Sequence, residues 1–174
     1  LSPTTGGQAG DLFGWSVHGV AVSGNKVVVG AYGDASFAGA AYVFVWDDVS
    51  KSWSQEARLT AVDRQAGASF GFAVAIDGDR VVVGAVFEDD GTTGPVGAAY
   101  VFEWDNGASS WTQPEKLQAL DLEAWNQFGY AVRHTLAEKS GFIRDMIPWL
   151  LGYDGAYAVG KKPTVNSAPV INVL

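Results

Sequence analysis

Three groupings of side chains in this sequence have the types and spacing that chemistry would ask for. Glu88, Asp89 and Asp90 set three carboxylates in a row, hard oxygens of the kind that bind calcium or receive a basic partner. Asp77-Gly78-Asp79 sets two carboxylates across a tight turn, and Ser16 stands two residues before His18 in GWSVHG. A nucleophile elbow needs glycine two residues after its serine, the place His18 takes. Neither His18 nor His134 has a recurrent carboxylate to orient it, so no catalytic residue is assigned. Asp77-Gly78-Asp79 corresponds to Ser23-Gly24-Asn25 earlier in the chain, and both read as hairpin turns chosen for positive φ. No metal ligand is assigned there. The acidic run reads first as a solvated loop, and its interest depends on where the fold puts it.

Composition narrows the partners. The chain has 19 acidic against 11 basic residues, a net charge of −8, and so no basic field for nucleic acid or an anionic membrane. Cations and basic proteins suit it better. Without cysteine there is no disulfide framework and no thiolate metal site. The longest apolar stretches, such as residues 146–151, are too short to span a bilayer, and no signal-peptide pattern opens the sequence. The leading leucine is read as the mark of a piece of a longer protein. With 22 glycines, 13% aromatic residues and one methionine, the expected class is all-β, many short strands joined by tight turns.

The elements that would position these groups come from a repeat. Phe13-Gly14 recurs as Phe70-Gly71 and Phe128-Gly129, spaced by 57 and then 58 residues. VVVGA at 27–31 returns at 81–85, AAYVF at 40–44 at 98–102, Trp46 and Trp53 as Trp104 and Trp111, and LTAVD at 59–63 as LQALD at 117–121. The first unit carries about three extra residues around 18–20. Each unit reads as four strands, with VVVGA a strand buried on both faces whose closing Gly-Ala lets a neighbouring backbone approach. No helix is expected before residue 133. Residues 1–58 and 59–116 form two blades, and 117–174 a degenerate third in which RHTLAEKSGFIRDM replaces the expected hairpin. A short helix over 135–140 is one reading of that stretch, and an end-of-propeller strand is the other. Such units bury their faces only by stacking radially, so an open fragment is expected to self-associate. Trp46, Trp53, Trp104 and Trp111 flank the same hairpin loop, and their recurrence favours blade packing over sugar stacking.

Phe-Gly near the start of each unit and Gly-Ala before a loop, in this order, resemble the FG-GAP repeat of integrin α-subunit propellers over roughly residues 1–132. Asp145, Ile147, Pro148, Leu150, Leu151 and Gly152 are similar to a later hairpin of that family, and the run PVINV at 169–173 to the strand by which its propellers end. The resemblance implies a partial β-propeller of four-stranded antiparallel blades, located outside the cell or on its surface, that works in recognition or adhesion. Its ligand face would be built from loops 32–38, 63–69, 87–95 and 121–126. On these stand Asp34, Phe37, Asp63, Arg64, Phe87, Glu88, Asp89, Asp90 and Trp125, offered to a protein or glycan ligand, with the exposed aromatics as anchors. The family's calcium motif, D-x-D-x-D-G-x-x-D, is absent, so no cofactor is expected. Neighbouring blades of a longer chain are the other expected partners, whereas nucleic acid and membrane insertion are not. The alternative is a set of scaffold blades in a larger secreted hydrolase whose catalytic domain lies elsewhere.

Overall fold

The computed structural model describes residues 1–119, 124–134 and 170–173. It contains two four-stranded antiparallel sheets. The first is β1 (Val20–Ser23), β2 (Lys26–Ala31), β3 (Ala40–Asp47) and β4 (Ser52–Leu59), and the second β5 (Phe70–Asp77), β6 (Arg80–Ala85), β7 (Ala98–Asp105) and β8 (Ser110–Leu117). In each sheet the strands lie side by side in chain order, the meander of a propeller blade. β9 (Ala131–His134) begins the third unit and pairs in parallel with β10 (Val170–Val173). The hairpin expected at 145–152 and the helix expected at 135–140 lie outside the described residues. Among the described residues no helix is long and apolar enough to cross a membrane.

The extra residues of the first unit shorten its inner strand. β5 starts at Phe70 and runs eight residues, whereas β1 starts only at Val20 and runs four, because residues 15–19 turn back on themselves through a bond from Gly19 N–H to Ser16 O. A single four-residue turn, α1 (Asp34–Phe37), stands where no helix is expected. It is not an ordinary helix: Ala35, Ser36 and Phe37 all have φ between 47° and 61°, the left-handed region that costs an L-residue roughly 1–2 kcal/mol.

Blade stacking builds the core. Val28 and Val43 of the first blade meet Val74, Ile76, Val81 and Val83 of the second, and Val82, Ala99 and Val101 on its other face meet Phe128 and Val132 of the third unit. Successive valines of β6 thus serve opposite interfaces, as the two-residue strand period requires. A strand apolar on both faces gains little register information from its pattern, since a one-residue slip replaces valine with valine. Glycine supplies the register. A Cβ on Gly30 would lie 1.9 Å from the Gly71 carbonyl oxygen, and one on Gly84 1.9 Å from that of Gly129. The Phe-Gly of the second and third units therefore seats on the Gly-Ala of the unit before it, backbone against backbone.

Candidate functional site

The loops joining β2 to β3, β6 to β7 and each blade to the next share one end of the sheets, and beneath them lies a repeated ion pair. In the first blade, Asp34 is 3% exposed. The Arg58 guanidinium reaches both of its oxygens at 2.7 Å, Arg64 reaches Oδ1 at 2.6 Å, and the Tyr42 hydroxyl donates to Oδ2 at 3.2 Å. In the second, Glu88 is 1% exposed and accepts from the Lys116 ammonium at 2.7 Å, which also reaches Asp63 at 2.6 Å. Tyr42 and Tyr100 are wholly buried, and the cations of Arg58 and Lys116 lie over their rings. Asp63 and Arg64, adjacent in the connection between blades, reach in opposite directions, Arg64 to the first blade's carboxylate and Asp63 to the second blade's lysine.

The two sites carry opposite charge. One carboxylate among two guanidiniums leaves the first site with a surplus positive charge, while one lysine among two carboxylates leaves the second with a surplus negative one. Burial pushes the Asp34 carboxyl up, and the hydrogen bonds and charges of Arg58 and Arg64 more than offset this, holding it below the usual carboxylate value. For Glu88 burial also acts upward, but the single Lys116 does not offset it and the carboxyl titrates high. Among the described residues Glu88 Oε2 has no hydrogen-bond partner. We therefore expect Glu88→Gln to stay within about 1 kcal/mol of the parent in urea denaturation near neutral pH, because losing the ion pair is balanced by removing an under-satisfied buried charge. A loss above about 3 kcal/mol would show that the pair is a net stabiliser.

These contacts revise the reading of the acidic run. Asp34 and Glu88, expected on a ligand face, are inside, and Glu88 is no part of a solvated loop. Asp63 and Arg64 stand at the surface but spend their charges on the pairs below. Asp90 accepts from the backbone N–H groups of Thr92 and Thr93 at 2.9 and 2.7 Å and from the Thr92 hydroxyl, which hold its carboxyl far below the ordinary value. Asp89 accepts from Gly91 N–H at 2.7 Å. Both acids fold their own turn. Of the three aromatics expected to stand exposed, Phe37 and Trp125 do, at 48% and 68%, whereas Phe87 is half-buried because its ring packs edge-on to Trp125 with centroids 6.4 Å apart. Their backbones are fastened, Ser69 N–H to Phe37 O at 2.7 Å, Phe87 N–H to Ala68 O at 3.1 Å and Trp125 N–H to Pro95 O at 2.6 Å.

The sequence reading missed Arg58, Lys116 and the two tyrosines as parts of one device. The signal was present: a basic residue recurs before Leu59 and Leu117, and an acid recurs three residues after each VVVGA run.

Comparison with known protein families matches residues 4–44 and 53–102 to the FG-GAP repeat. The chain belongs to the FG-GAP repeat family. No curated protein matches it. The two matched stretches hold the contact between Gly30 and Gly71, so the glycines of the FG-GAP name are the places where one blade's backbone touches the next. The family's calcium hairpin has its counterpart at 77–80, where the Asp79 carboxylate is paired with Lys26 at 2.8 Å.

Proposed function

We propose that these FG-GAP blades form a recognition module of an extracellular or cell-surface protein, binding a protein or glycan ligand through Phe37, Phe87 and Trp125. The observation that carries this reading is that Phe37 and Trp125 stand exposed, with the half-buried Phe87 packed against Trp125, on loops whose backbones are tied to one another over buried ion pairs. Such anchors lose little conformational entropy on binding, and they lie where the blades differ in sequence. The acidic loops around them suit a basic or neutral ligand, and the module works without catalysis or calcium. The test is binding of the chain to a glycan array and a panel of extracellular proteins, repeated with Phe87→Ser combined with Trp125→Ser. We expect binding to fall at least ~30-fold, since two anchor aromatics carry about 2 kcal/mol or more, with the melting midpoint unchanged. Binding that survives the double change would remove the loop face from the reading.

A further inference from the structure

We propose that the open cleft between Trp46 and Trp53, at the end of the first blade away from the loop face, is a socket for the lysine or arginine opening the second strand of a preceding FG-GAP blade in the same polypeptide. The second blade displays the occupied form. Its Trp104 and Trp111 rings lie 5.6 Å apart at 66°. Lys26, the first residue of β2 in the preceding blade, places its ammonium 5.4 and 5.0 Å from their centroids while bonding Asp79 at 2.8 Å. Glu56, also of the preceding blade, accepts from Trp111 Nε1 at 2.9 Å. Trp46 and Trp53 keep the same arrangement, 5.5 Å and 60°, and with Gly24 and Asn25 they line a cleft of about 440 Å³.

A cation held by two indole faces is favoured by both ring quadrupoles; Asp48, which accepts from Trp46 Nε1 at 3.0 Å, is already paired with Lys51. Among the four residues lining the cleft, the socket differs from its sister in one position. Asn25 stands where the second blade has Asp79, and its amide nitrogen donates to the Trp46 carbonyl, leaving the amide oxygen as the acceptor for an incoming N–H.

Two further observations put a blade, rather than a free small cation, on this side. Val20 and Val22 are 54% and 66% exposed, whereas their second-blade counterparts Val74 and Ile76 are 4% and 6% exposed, buried against the first blade. The incoming backbone also follows the path of a connection between blades: Thr4 N–H donates to Gln55 Oε1 at 2.8 Å, as Val62 N–H does to Gln113 Oε1 at 3.0 Å. An apolar strand face, a connection on its expected path and a cation socket thus share one side of the first blade.

The experiment extends the full chain at its N-terminus with a second copy of residues 1–58, which sets that copy's Lys26 against the socket. The Trp46 and Trp53 indole N–H resonances should move and the melting midpoint should rise. Lys26→Ala in the added copy should reverse the indole shifts and lower the midpoint by roughly 2–4 °C, while Lys26→Arg there should keep both. Indifference to Lys26→Ala, or capture of the socket by a second molecule seen as concentration-dependent dimerisation, overturns the proposal. A second measurement needs no extension: butylammonium chloride added to the 174-residue chain should shift the Trp46 and Trp53 indole resonances and spare Trp104 and Trp111, which already hold Lys26, with butanol as the neutral control. Equal shifts at all four, or at none, count against it.

Discussion

Gly71→Ala is expected to destabilise the protein by about 2–5 kcal/mol, a large part of the stability of a domain this size. Two costs add. Gly71 has a φ of +89°, where an L side chain pays roughly 1–2 kcal/mol, and its new Cβ would stand 2.1 Å from the Ala40 carbonyl oxygen. That neighbour is backbone held in a sheet, so the two blades must part, at an overpacking cost of about 1–3 kcal/mol. Gly30→Ala isolates the second cost, because its φ is not positive and its Cβ would meet the Gly71 carbonyl oxygen at 1.9 Å. Gly78→Ala isolates the first: φ is +53° and nothing lies within 4 Å. Urea denaturation of the three variants should rank Gly71→Ala as the most damaging and Gly78→Ala as the least. If Gly71→Ala and Gly78→Ala cost the same, the backbone contact between blades does not set the stability of the interface.

Asp34→Ala should cost about 2–3 kcal/mol at pH 7. Removing one partner of a buried pair costs roughly 3–5 kcal/mol, and the figure is reduced because the Arg58 and Arg64 side chains are still 28% and 30% exposed and water can reach them. The same carboxylate makes the parent acid-sensitive. Its folded value is depressed, so its stabilisation is fully present above the unfolded value near 3.8 and is lost as pH falls through the lower folded value. Glu88 acts in the opposite sense, since its folded value is raised and its contribution is present below about 4.5 and lost as pH rises through the folded value. Stability measured from pH 6 down to pH 2 should therefore fall less steeply in Asp34→Ala than in the parent. An identical acid limb in the two proteins would mean that Asp34 is not ion-paired in solution.

The exposed aromatics are where the proposed function and the architecture meet. Each lies on a loop whose main chain is bonded to the next loop, so a change in the ion pairs beneath should loosen the face without touching a ligand contact. The left-handed run at 35–37 is the strained part of that face. Phe37 sits at its end, presented outward by a backbone that a relaxed turn would redirect.

Sequence by itself determined the repeat, the strand content and the blade interfaces. These follow from local pattern: three β-branched residues buried on two faces make a central strand, and a glycine at the same place in every unit marks where no Cβ fits. The tryptophan pairs were legible as packing groups for the same reason. The fate of the charged groups was decided only by the tertiary structure. Glu88, Asp89 and Asp90 are neighbours in sequence, yet Glu88 is buried on Lys116, 28 positions away, while the other two fold a turn with residues 91–93. An isolated run of acids carries no information about which of them finds a cation inside the blade. The third unit shows the same limit: β9 pairs in parallel with β10, a strand almost 40 residues later, and no two-residue periodicity states which distant strand will complete a ladder.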